Sequence, residues 1–157
     1  MQLDTMKFGT IEIDESSIIR FVAPILGFAE YERYALLRHP ETAPILWLQS
    51  TEKPELVFPI IEPFPLFPDY DFEVHESLAD ELRADGAEDI CVFSIVVLAK
   101  DVKKIRTNLR APILYNPSTH LAKQVVLEGT DYPVQFFFAA QQASSPAAPS
   151  ETLSASA

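Results

Sequence analysis

The apolar residues of this chain fall in short runs, several of them alternating with polar residues, and turn-forming residues separate one run from the next. That spacing matches the two-residue repeat of half-buried strands and lacks the sustained repeat of long amphipathic helices. Met6, Phe8, Ile11 and Ile13 bracket Gly9 and Thr10, which reads as two short strands around a turn or as one strand with a bulge. Further strands are expected over 18–22, 34–38, 45–50, 56–61, 71–74, 90–98, 113–116 and 124–127. Eight or nine strands with little helix predict a mainly β fold, a single-domain barrel or roll. Pro59 has no amide donor, so its strand is expected at an edge or with a bulge. At 157 residues and 48% hydrophobic, the chain has the length and the apolar content of one packed domain.

One helix is expected, over about 77–85. Ser77 is placed to accept from the Asp80 amide as an N-cap, Leu78 and Leu82 lie one turn apart on one face, and Gly86 can close the end in a left-handed conformation. A weaker helical turn is expected over 101–106, anchored by Val102 and Ile105. From Ala139 the chain becomes an Ala/Ser/Pro-rich segment without aromatic residues, which cannot bury enough surface to offset its ordering entropy. The expected division is a folded domain over 1–138 and a disordered tail over 139–157.

A single cysteine, Cys91, excludes an intrachain disulfide and sits among apolar neighbours, so a small core residue in a reducing compartment is expected. The N-terminus lacks the basic-then-apolar order of a secretory signal, and no apolar stretch reaches the ~18 residues of a membrane span. A cytoplasmic protein with no membrane contact is the expectation.

The patterns that carry catalysis are missing. The four glycines are scattered outside any phosphate-binding loop, there is no Gly-x-Ser-x-Gly elbow, and His39, His75 and His120 stand far apart. Carboxylates are abundant without a recognisable pairing. The reading is a non-enzymatic protein with no cofactor and no metal.

Charge is the more informative feature. The chain carries 12 Lys and Arg against 23 Asp and Glu, a net charge of −11, which disfavours direct nucleic-acid binding, since that depends on cations displacing counterions. Nine acids (Asp69, Asp71, Glu73, Glu76, Asp80, Glu81, Asp85, Glu88 and Asp89) are opposed in that stretch only by Arg83, for a local charge of −8. Lys100, Lys103, Lys104, Arg106 and Arg110 form a basic stretch. Either the two stretches pair within the fold, or both are solvated faces, or the acidic one is a docking surface for a basic protein. Beside it, Pro63, Pro65 and Pro68 hold Phe64, Leu66, Phe67, Tyr70 and Phe72 in an extended segment. Its aromatics are expected either to stay partly accessible or, for Phe64 and Phe67, to be buried beneath the loop.

These residues also carry a resemblance. Trp47-Leu48-Gln49-Ser50, Pro54-Glu55-Leu56-Val57-Phe58, Pro63 and Phe67-Pro68-Asp69-Tyr70-Asp71-Phe72-Glu73 resemble the FliW family of bacterial flagellar assembly factors. Thr107-Asn108-Leu109-Arg110-Ala111-Pro112-Ile113, then Asn116, Thr119, Gln124-Val125-Val126-Leu127 and Tyr132 follow in the family's order, and Phe8-Gly9 with Ile11, and Phe21 with Gly27-Phe28, precede them. The resemblance implies a barrel-like domain that acts without catalysis, by binding the basic RNA-binding dimer CsrA and, alternatively, flagellin. Flagellin would occupy the factor until it is exported, and the freed factor would then antagonise CsrA repression of flagellin translation. A flagellin-specific chaperone without a regulatory role is the alternative. The protein alone is expected to be a monomer.

Carried over residue by residue, the resemblance assigns partner contact to Asp69, Tyr70, Asp71, Phe72 and Glu73, the acids steering and Tyr70 or Phe72 anchoring. It adds Asn108, Leu109 and Pro112 from the second block, of which Asn108 and Pro112 also fit a structural role as turn and strand entry. The sequence departs from the family pattern at Ala122, where glycine is expected, in the aromatic run Phe136 to Phe138, and in the added tail.

Overall fold

The structure, a computed structural model, describes residues 1–138. The first two strands, β1 (Gln2–Thr5) and β2 (Gly9–Glu12), form an antiparallel hairpin running from the Gln2–Glu12 pair to Thr5–Gly9. The turn is Met6 to Phe8, closed by Thr5 Oγ1, which accepts from the Phe8 amide and donates to the Gly9 carbonyl, both at 2.8 Å. Gly9, at φ +71°, therefore opens the second strand and does not form the turn.

Seven strands close into a barrel. β3 (Ile19–Phe21), β4 (Arg33–Arg38), β5 (Leu46–Ser50), β6 (Val57–Ile61) and β7 (Cys91–Val97) pair antiparallel in sequence order. After the short β8 (Arg106–Thr107), β9 (Ile113–Asn116) pairs with β7 and with β10 (Leu121–Gln124), and β10 returns to β3 in the one parallel pairing among the described residues. β8 extends the far end of β7 and is covered by β11 (Phe136–Phe137). Closure leaves the seven barrel strands without a free edge.

The barrel wall separates two cores, and strand alternation decides which residue joins which. Inward-facing Ile19, Phe21, Tyr34, Leu46, Leu48, Ile60, Phe93, Ile113 and Tyr115 fill the barrel. On the outside, Val92, Leu114 and Leu121 pack with Phe67, Tyr70, Leu82 and Leu109. β5 and β9 are buried at every position because both of their faces are covered. The sheath over the outer face is the long β6–β7 connection, which contains α1 (Glu76–Glu81) and all nine clustered acids.

Several expectations change at the level of single elements. Pro59 lies in an internal strand, paired with Trp47. The Ser50 amide donates to the Leu56 carbonyl at 2.9 Å, so by antiparallel alternation Trp47–Pro59 is a non-hydrogen-bonded pair and the proline nitrogen faces β7. The β6–β7 ladder begins only at Ile60, so the missing donor breaks no rung.

The helix starts one residue before Ser77: His75 is the N-cap, without a side-chain cap bond, and its carbonyl accepts from Leu78 and Ala79. At its end Arg83, not Gly86, takes the left-handed conformation (φ +56°), and Gly86 is extended at φ −169°. Asn116 Nδ2 and Thr119 Oγ1 donate to the Leu82 carbonyl at 3.0 and 2.9 Å, so β9 and the turn after it supply the C-terminal cap from a distance.

Residues 71–74 are unpaired, and the strand expected over 124–127 begins earlier, at Leu121. The turn expected over 101–106 is a 3-10 turn over Val102–Lys104, capped by Asp101. Cys91 is half-buried against the barrel core, and burial pushes its thiol pKa up, as suits a core residue. The expected disorder of 139–157 lies outside the described residues.

Candidate protein-binding surface

The acidic–aromatic segment is held from beneath by a built frame. The Pro63 carbonyl accepts from the amides of Leu66 and Phe67 at 3.1 and 2.8 Å, which turns the chain inward and buries Phe67. The Phe67 ring meets Phe136 edge-on at 4.5 Å and lies parallel to Phe138 at 6.2 Å. Such pairs add about 1 kcal/mol beyond the area they bury. Of the two phenylalanines expected to be accessible or buried, Phe67 is buried and Phe64 is 42% exposed.

Tyr70 is 3% exposed, and its hydroxyl donates to the Leu109 carbonyl. Phe64, Phe72 and Tyr132 surround its ring at 5.8, 5.4 and 4.7 Å. Burial, with the neighbouring Tyr132, raises the Tyr70 phenol pKa well above its ordinary value, so it stays a neutral donor. The next residue is clamped on its backbone: the Asp71 amide donates to the Tyr132 hydroxyl and that hydroxyl donates to the Asp71 carbonyl, both at 2.8 Å. Arg110 holds the clamp, its Nε donating to the Tyr132 carbonyl at 2.7 Å and an Nη to Thr130 at 3.3 Å.

The two blocks expected to carry the site thus meet at Tyr70 and Leu109. Asp69, Asp71 and Glu73 are exposed and Phe72 is half-buried, whereas Tyr70 is not presented to solvent and positions its neighbours from inside. Asn108 Oδ1 accepts from the Arg110 and Ala111 amides at 3.0 and 3.1 Å, shaping the turn that offers the Leu109 carbonyl. Leu109 is 4% exposed, and the Pro112 carbonyl accepts from Val125 at 3.0 Å. Leu109 and Pro112 are buried beneath the acidic segment, and Asn108 is half-buried. Sequence reasoning missed the roles of Tyr132, Arg110 and Phe136, because a clamp between residues 61 positions apart leaves no local pattern.

The acids of the β6–β7 connection are exposed except Asp89, which is half-buried and accepts from the Asp85 amide at 3.0 Å. Among the described residues only Glu81 in this stretch is ion-paired, with Lys123 at 3.1 Å. Among the described residues none of Lys100, Lys103, Lys104, Arg106 or Arg110 reaches an acid within salt-bridge distance, so the two stretches do not pair with each other. Arg106 donates to the Lys104 carbonyl and lies over the Phe137 ring. The histidines do not converge, and the described residues contain no group of His, Cys, Asp or Glu able to hold a metal ion.

The fold and this surface define a closed seven-stranded β-barrel that displays an acidic segment on a hydrogen-bonded aromatic frame. The family model described as FliW protein matches residues 2–138. A flagellar assembly factor FliW of Syntrophus aciditrophicus is 39% identical over 136 residues, covering 87% of this chain and 86% of that one. One of Caldicellulosiruptor saccharolyticus is 35% identical over 130 residues, covering 83% and 85%. A crystal structure of the flagellar assembly factor FliW superposes with a TM-score of 0.81 at 35% identity, covering 87% of this chain and 96% of that one. The chain belongs to the FliW family of flagellar assembly factors.

Proposed function

We propose that this protein acts in flagellar assembly as a non-catalytic binding factor: it binds the basic translational repressor CsrA and antagonises it, and it binds flagellin in exchange. The observation that carries the reading is the acidic β6–β7 connection, exposed, almost unneutralised and fixed on a buried aromatic frame. An ordered acidic surface raises the encounter rate with a basic dimer and places a repulsive field beside its RNA site. Asp69, Asp71 and Glu73 steer, Phe72 supplies apolar contact, and Tyr70, Leu109, Asn108 and Pro112 hold them in place.

The protein works as a monomer in the cytoplasm, over a functional domain of residues 1–138. The described residues contain no helix long and apolar enough to cross a membrane. Competition tests the exchange: CsrA immobilised with this protein bound should lose it when flagellin is added in excess. Simultaneous binding of both partners would contradict the exchange, and binding of flagellin without any binding of CsrA would leave a flagellin chaperone.

A further inference from the structure

The hairpin that joins β7 to β8 carries charge of the opposite sign to the chain as a whole. Its tip holds Lys100, Lys103, Lys104 and Arg106 against Asp101 alone, a local charge of +3 in a chain of −11. Asp101 serves as the cap of the 3-10 turn, its carboxylate accepting from the Lys103 amide at 3.0 Å. The three lysines are exposed, and among the described residues none of the four cations is ion-paired. Apolar side chains stand around them: Val102 is 68% exposed, and Val97 and Leu98 are each 44% exposed.

Strand register places this surface in the fold. Val97 pairs with Arg106 and Arg106 with Phe137, so the three share one face across β7, β8 and β11, with the guanidinium 5.8 Å from the ring centre. The adjacent row, Val96, Thr107 and Phe136, takes the opposite face, and there Phe136 packs on Phe67 beneath the acidic segment. Lysines at a hairpin end guard against edge pairing, but that role does not account for three exposed aliphatic residues beside them.

We propose that this tip docks an acidic protein segment that presents apolar side chains. In the exchange proposed above that segment belongs to flagellin, so the inference rests on that reading. The cations select an acidic segment over a basic one. A nucleic acid or a lipid surface extends beyond a tip of this size and meets the larger negative charge of the rest of the chain, whereas a short segment stays within about 8 Å, one screening length, of the cations. The chain's own residues 139–157 hold one acid, Glu151, and one leucine, Leu153, too few to match the tip. β11 belongs to both surfaces, since Phe136 supports the acidic segment and Phe137 lies on the face of the tip. That shared strand gives a route by which occupancy of one surface lowers affinity at the other.

Calorimetric titration of flagellin into the full chain, with CsrA as the control, tests the assignment. Lys103→Glu combined with Lys104→Glu should weaken flagellin binding about tenfold at low salt, a gap that narrows as salt is added, and should not weaken CsrA binding. Val102→Ser leaves the charge unchanged and should weaken flagellin about threefold, with the salt dependence of the wild type. Flagellin bound by both variants as tightly as by wild type overturns the assignment. An equal loss toward CsrA also overturns it, by making the tip a structural element, as does a wild-type dimer that the charge reversal dissociates, by seating a second copy there. Failure of the wild-type protein to bind flagellin at all would instead overturn the exchange reading, and with it the occupant named here.

Discussion

At the scale of the residue, the surface is set by side chains that never reach it. The Tyr70 hydroxyl satisfies the Leu109 carbonyl and Tyr132 grips the backbone of Asp71, so two phenols hold the acidic segment in register. Replacing Tyr70 with Phe leaves the buried Leu109 carbonyl without this donor and should cost about 1–3 kcal/mol, measured by urea unfolding. Two buried phenols, Tyr34 and Tyr70, give the fold an alkaline limit. Burial pushes Tyr34 up to about 12 and also raises Tyr70. Below about pH 10 both residues keep their protons in the folded and the unfolded chain. As the pH rises further the unfolded chain releases them first, so stability falls with pH through the folded values. The urea midpoint should be level up to about pH 9 and decline above 10, with a shallower decline in Tyr70→Phe.

At the scale of the element, strands with a simple alternating pattern were legible and those whose partners lie far away were not. The patterns near 18–22, 34–38, 45–50, 56–61, 90–98 and 113–116 match the observed strands to within a residue or two, because each strand buries at least one face and so carries an apolar run of its own length. Arg106–Thr107 and Phe136–Phe137 are two-residue strands that exist only through pairing with β7 and with each other, and no periodicity marks so short an element. The helix end shows the same limit. Gly86 is the local stop signal, yet the donors that end the helix come from Asn116 and Thr119, more than thirty positions away. The substitutions should behave accordingly. Arg83→Gly, at φ +56°, should stabilise by roughly 0.5–1 kcal/mol. Gly86→Ala should be nearly neutral, since its extended backbone suits any residue and the nearest obstacle is the flexible end of Glu88. Thermal unfolding of both variants checks this, and a large loss in Gly86→Ala would return the cap to Gly86.

At the scale of the whole molecule, the barrel wall divides the work. Its inner face holds a closed core, and its outer face carries the sheath that concentrates nine of the chain's acids. Charge counting made that concentration visible in the sequence, and the ordered blocks around Asp69 to Glu73 and Asn108 to Pro112 pointed to the family. Which of those residues face solvent was not legible, because it depends on the contact between the blocks. The central claim is that the exposed acids of this sheath recognise a basic dimer. Calorimetric titration of CsrA into wild type and into an Asp71→Lys, Glu73→Lys variant at several salt concentrations tests it most directly. The account predicts that the variant binds about tenfold or more weakly at low salt, with unchanged thermal stability, and that the gap narrows as salt screens the charges. Equal affinity and equal salt dependence of the two proteins would contradict it.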